Sequence, residues 1–292
     1  MMDAREPCPQ LTTIKGRYLI GLLLVLMFGA PIVWPVSYQT RLTESIVSLA
    51  TYFLIGLFVW FHLLRHGMTL RSILGERLSR KEVYLFAVIA IPLVGVAIAG
   101  LYATYVPLSW LNPALVTTIL GAMPNLIVWS TEPKELFSNG LNIIMFVLLG
   151  PIVEEILFRG FLLNRWWKKY GAEKAIVLSS IMFALMHVEV IGGIVFGLVL
   201  ARIYVKTKSL IGPIIVHTAN NVIVMVLELT DIFMPGESPK FTLSEFLAYS
   251  WMAPLGLLIG IPSLFCFYRY YLANQKRSGI EIPPSGSEIT NS

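Results

Sequence analysis

Apolar residues in this chain fall into runs of about twenty, separated by short polar and mostly basic stretches, a spacing that predicts membrane-crossing helices. The long runs cover 18–36, 45–64, 83–105, 141–163, 210–228 and 246–272. Two shorter runs, 174–188 and 190–204, read as helices shielded by neighbours rather than facing lipid. A membrane barrel would instead alternate apolar and polar positions over strands of about ten residues. The pattern predicts an all-α, polytopic membrane protein with about eight transmembrane helices. The stretch 115–129 is also apolar, but it is short and contains Pro124. With the rest of 106–140 it reads as an outer loop holding a re-entrant or interfacial piece.

Composition agrees with the pattern. Hydrophobic residues make up 56% of the 292, charged residues 13%, and the mean hydropathy is +0.74. A soluble domain carries about 25% charged residues. Disorder, nucleic-acid binding and an ordinary soluble enzyme are therefore excluded as classes. The formal net charge is +5, from 22 Lys and Arg against 17 Asp and Glu. With the N-terminus inside, 17 of the 22 basic residues fall on inner segments and three, Arg41, Lys134 and Lys240, on outer ones. Arg159 and Arg202 lie within spans. That asymmetry obeys the positive-inside rule and puts both termini in the cytoplasm, whereas a crossing at 115–129 would even out the split. Cys8 and Cys266 form no disulfide framework and no CxxC pattern. Two acids in MMDAREPCPQ, far from the first apolar run, argue for a retained anchor over a cleaved signal.

These readings divide the chain into 1–140 (three spans and the outer loop), 141–228 (four helices carrying the polar residues), 229–273 (an outer loop and the last span) and a disordered tail, 274–292. The expected location is a cell membrane, multi-pass, with the bacterial cytoplasmic membrane as the expected setting.

An ionisable group inside a span is costly unless paired or hydrated, which makes each one a functional candidate. Such residues cluster in the second half: Glu154, Glu155 and Arg159, then His187, Arg202, and His217 beside Asn220 and Asn221. Glu155 and Arg159 stand four apart with the acid first, so they can pair along one helix face. Glu154 points about 100° away from Glu155 and is free to face a cavity. His217 and Asn221 share a face by the same four-residue spacing, as do Phe183 and His187. At 1.5 Å per residue from the inner boundary, Glu154 lies roughly 16 Å deep, His217 roughly 13 Å and His187 roughly 20 Å. A carboxylate, two imidazoles and an amide thus reach a similar depth, near the midplane or on its cytoplasmic side.

Hydrolysis of an amide by water needs a base, donors for the oxyanion and an acid for the leaving amine. A glutamate in a low-dielectric pocket suits the first task. The assignment that follows is Glu154 as base, His187 orienting the water, and His217 with Asn221 as oxyanion donors. Glu155 and Arg159 form the structural pair that holds the helix. Blander roles compete for each: Glu154 sharing Arg159, the histidines bonding between helices, Asn220 packing, Arg202 snorkelling, and Glu228 and Asp231 solvated at an outer helix end. Gly193 and Gly197 form a GxxxG packing motif, and no phosphate-binding GxxxxGK[ST] occurs.

The segments EEILFR (154–159), FALMH (183–187) and HTANN (217–221), with GLVLARIYVKTKSLIGPIIVHTANN spanning the last of them, resemble the CAAX prenyl endopeptidase and bacteriocin-processing (CPBP) family of intramembrane proteases. The likeness covers about 141–228. It implies a glutamate-dependent, cytosol-facing hydrolytic site with Glu154, His187, His217 and Asn221 in the roles above and Glu155 and Arg159 completing the first motif. It implies a membrane-associated peptide or membrane-anchored protein as substrate, with the bilayer as the other partner, no nucleic acid and no cofactor. Three other readings remain open at this level. A zinc protease could use two His and one Glu from separate helices, although HExxH is absent. A proton-relay transporter would show repeat halves or paired broken helices, and none is visible. A non-catalytic immunity or regulatory protein would carry the same motifs.

Overall fold

A computed structural model of the chain describes residue 21 and residues 40–67, 69–123, 125–233 and 242–273. Apart from residue 21, the predicted first span, 18–36, lies outside the described residues, as does the predicted tail, 274–292. Most of the described residues are helical: α1 Arg41–Arg65, α2 Leu70–Leu74, α3 Arg80–Leu111, α4 Pro113–Ala122, α5 Pro133–Tyr170, α6 Ala172–Ala184, α7 Val190–Thr207, α8 Ile211–Phe233, α9 Leu243–Ala248 and α10 Met252–Leu272. Six of these, α1, α3, α5, α7, α8 (as far as Leu229) and α10, are long and apolar enough to cross a membrane. The protein is a polytopic, all-α membrane protein.

Start signals agree with the chemistry at the helix ends. Thr40 caps α1 by accepting from the Thr43 N–H, and Ser79 and Glu82 close a capping box on α3. Pro113 and Pro133 sit in the first turns of α4 and α5, where a missing N–H costs nothing. The ten residues of α4 extend only about 15 Å, too short to cross. Its Val116 and Leu120 pack with Tyr102, Tyr105 and Phe246 against the far end of α3.

The two ends of the bundle are defined by cross-contacts. At one end, Leu74 O accepts from the Leu210 N–H (3.0 Å) and the Ser209 hydroxyl (2.9 Å), Tyr271 OH donates to Glu82 (2.9 Å), and Lys206 Nζ donates to the Tyr271 carbonyl. Arg202, expected to snorkel, pairs in bidentate fashion with Glu173 at this end. At the other end, Arg41 donates to Leu126 O at 2.6 Å and to Glu135 at 3.3 Å, and the Ile127 N–H donates to Glu228 at 3.1 Å. Glu228 is therefore engaged in the structure rather than merely solvated.

α3 lies at the centre, flanked by α7, α8 and α10. A core including Phe86, Leu93, Phe158, Phe161, Leu200 and Tyr204 fills the half of the bundle nearer the basic end. Side chains such as Phe53, Phe61, Leu258 and Phe265 are exposed, as lipid-facing positions should be. Val177, Leu178 and Ile181 on α6 are exposed too, so this helix is shielded on one face only. The 13 residues of α6 extend about 20 Å, short of a bilayer core of about 30 Å. With α7 it forms a hairpin whose turn, 185–189, carries His187. The hairpin closes tightly at Gly197, where an added Cβ would stand 2.9 Å from Ser180 Cα.

Candidate active site

Helix α5 is not a regular α-helix. Residues Ile144–Leu149 and Ile156–Leu163 are wound with i→i+5 bonds, and the α-helical turn between them, Gly150–Glu155, carries both glutamates. π-wound segments inside helices are frequent at functional sites. Here the sequence supplies a cause. The Gly150 N–H donates to Met145 O, which sets the five-residue register. In that register Phe146 O would receive the N–H of residue 151, and residue 151 is proline. The Asn221 amide from α8 takes that place, donating to Phe146 O at 2.7 Å. At the second segment Asn164 Nδ2 donates to Arg159 O (2.9 Å) and Gly160 O (2.6 Å).

Glu155 and Arg159 pair as the spacing predicts, with Nη1 donating to Oε1 at 2.8 Å and both side chains 0% exposed. Arg159 Nη2 donates to Gly197 O at 3.2 Å, and its guanidinium stands over the Phe183 ring, 4.5 Å from the centroid. One arginine thereby joins α5 to α6 and α7. Glu155 Oε1 also faces His217 Nδ1 at 2.9 Å. A carboxylate paired with arginine only accepts hydrogen bonds, so the proton of this contact resides on Nδ1. His217 is held in that tautomer with Nε2 turned towards Glu154.

His187 is fixed in the same sense by the backbone. Its Nδ1 lies 2.8 Å from Phe183 O, an acceptor only, so Nδ1 carries hydrogen and Nε2 faces Glu154. The Phe183 ring lies 4.4 Å from the His187 ring and 5.6 Å from the His217 ring, and Phe196 lies 5.2 Å from His217. These aromatic walls fix both imidazoles and limit water around them.

Glu154 has two unlike oxygens. Oε1 accepts from Tyr52 OH at 2.7 Å. Oε2 is buried with no protein hydrogen-bond partner, 3.8 Å from His187 Nε2 and 3.9 Å from His217 Nε2. Both separations exceed a direct hydrogen bond, and both suit one small molecule shared among the three groups. Among the described residues, no group of three or more His, Cys, Asp or Glu is arranged to hold a metal ion. The carboxylate closes the deep end of a cavity of about 950 Å³ that also includes Ser48, Asn142, Glu189, Gly193, Asn220 and Glu228 in its wall.

The structure thus brings Glu154, His187 and His217 around one point, with Asn221 in the same cavity wall and Glu155 and Arg159 buried behind them. Sequence reasoning missed Tyr52, which lies 102 residues from its partner Glu154 in an apolar run that gives it no local distinction. It also missed Glu189, which caps α7 by accepting from the Gly192 N–H. A lone acid between two apolar helical runs was the available signal.

Comparison with known proteins agrees with the motifs. The family described as "Type II CAAX prenyl endopeptidase Rce1-like" matches residues 136–223. The chain is similar to the Bacillus subtilis (strain 168) protein named "Putative membrane peptidase YdiL", with 30% identity over 95 residues. That stretch covers 32% of this chain and 39% of the relative, so less than half of either protein is compared. No solved structure matches the chain. The region around the two glutamates is type II CAAX prenyl endopeptidase-like, as the motifs imply.

Proposed function

We propose that this protein is an intramembrane endopeptidase that hydrolyses a peptide bond of a membrane-associated substrate with water activated by Glu154. The observation that carries the reading is Glu154 Oε2, buried and without a protein partner, facing Nε2 of two histidines at the closed end of a large cavity. A water held there donates one hydrogen to Oε2 and the other to His187 Nε2. Its free lone pair is then aimed at a carbonyl carbon. On attack, Glu154 takes the proton, a C–O bond forms and the carbonyl oxygen becomes an oxyanion. As the C–N bond breaks, Glu154 returns that proton to the amine.

Oxyanion stabilisation falls to His217 and Asn221. His217 donates from Nε2 only when both ring nitrogens carry hydrogen, because Nδ1–H is committed to Glu155. Asn221 has one amide hydrogen on Phe146 O and offers the other. The substrate class is a membrane peptide, whether a prenylated CAAX protein, a bacteriocin leader or another segment.

The test compares the peptides released from membranes of cells carrying wild type or Glu154→Gln, with His187→Ala and His217→Ala beside it. Cleavage products seen with wild type alone are expected, unaffected by chelators. Identical products from all four folded proteins would sink the proposal.

A further inference from the structure

The cavity has a direction. Its wall consists of the Glu154 site and of residues nearer the α4 end: Arg41, Glu44 and Ser48 on α1, Leu126, Asn142 on α5, and Val224 on α8. Among the described residues, no wall residue belongs to 65–82, 165–174 or 206–208, the basic segments at the opposite end. Towards that basic end the site is shut by Glu155, Arg159, Phe158 and Phe161, each 0–1% exposed. The shortness of α6 explains the opening, because a hairpin that turns at 185–189 leaves the space beyond it unfilled.

The ends differ as sharply in charge. The segments 65–82, 165–174 and 206–208, with Arg269, hold most of the basic side chains. Among the described residues the α4 end has Arg41, which is paired with Glu135, and Lys134. Basic loops stay on the cytoplasmic side of a membrane. We infer that the cavity opens to the extracytoplasmic side, so that a polypeptide substrate reaches Glu154 from the outer face. This departs from the cytosol-facing site that the family resemblance implies. It rests on the proteolytic reading only for the nature of the occupant. That occupant is a polypeptide that enters from the outer face and presents its scissile bond near the middle of the bilayer, in a cavity near the upper end of the range of about 300–1,000 Å³ typical of ligand sites.

Labelling with a membrane-impermeant, charged methanethiosulfonate tests the direction in the full-length protein, after Cys8 and Cys266 are replaced by alanine. Glu44→Cys and Ser48→Cys probe the cavity, and Arg77→Cys and Lys168→Cys probe the basic end. In spheroplasts of a bacterial host, the first pair should label to near one reagent per chain. The second pair should label only after permeabilisation. Labelling of Arg77→Cys and Lys168→Cys in intact spheroplasts, or failure of both cavity positions to label until permeabilised, or at all, overturns the inference. Labelling does not depend on hydrolysis, so repeating it on Glu154→Gln separates the two proposals. Loss of peptide release with unchanged labelling supports both. Unchanged release with outer labelling removes the protease reading and leaves the direction of the cavity standing.

Discussion

Arg159 offers the sharpest stability test, because three separate contacts converge on one fully buried cation. Replacing it by methionine keeps much of the volume but removes the 2.8 Å pair with Glu155, the 3.2 Å bond to Gly197 O and the stacking over Phe183. The dominant cost is the Glu155 carboxylate, left buried with His217 as its remaining partner. Breaking a buried pair by removing one member costs about 3–5 kcal/mol. Glu155→Gln should cost a similar amount by stranding the guanidinium. The double variant, Glu155→Gln with Arg159→Met, has no stranded charge. Its loss should shrink to about 1–3 kcal/mol, chiefly for the lost bond to the Gly197 carbonyl and the lost packing over Phe183. The coupling energy between the two positions, the sum of the single losses less that of the double, is then about 6 kcal/mol, above the roughly 0.5–3 kcal/mol usual for contacting residues because both single variants strand a buried charge. Reversible unfolding in mixed micelles, with rising SDS and tryptophan fluorescence as the readout, measures all four corners of the cycle. Single-variant losses below about 1 kcal/mol, or a double variant that loses the full sum, would refute the reasoning.

Other outcomes follow from the same geometry. Tyr52→Phe keeps the ring and deletes one bond to the Glu154 carboxylate, which should lower kcat by roughly 10- to 100-fold in a cleavage assay and leave the micelle unfolding curve nearly unchanged. Gly197→Ala forces a Cβ to 2.9 Å from Ser180 Cα and should cost about 1–3 kcal/mol, whereas Gly140→Ala, with nothing within 4 Å, should not destabilise. Melting temperatures in detergent compare the two. The Thr242 N–H and hydroxyl hold the Glu245 carboxyl below its usual range. That cap should be intact above the ordinary carboxylate pKa and be lost as pH falls through the lowered value, seen as a drop in amide protection factors (rates corrected for intrinsic exchange) over 242–248 that Glu245→Gln makes independent of pH.

The sequence alone determined the class and the local pairings. A bilayer permits few backbone solutions, so hydropathy runs announce its helices, and four-residue spacings put Glu155 with Arg159 and Phe183 with His187 on single faces. The cost of charge in lipid also made Glu154, His187 and His217 conspicuous, because so few charges lie there. What tertiary structure decided depends on neighbours distant in sequence. That α6 stops at 13 residues, with a lipid-exposed face, follows from its packing against α7, and hydropathy is blind to it. Pro151 could be read in the chain, but its consequence, an orphaned Phe146 carbonyl taken by Asn221, needed α8 in place. Tyr52 became a partner of Glu154, and Glu228 a tie for Ile127, only once the helices had assembled. The direction of the cavity is likewise a property of the packed bundle. Pattern fixes what each helix can present to a neighbour, whereas the three-dimensional packing fixes which neighbour is there to receive it.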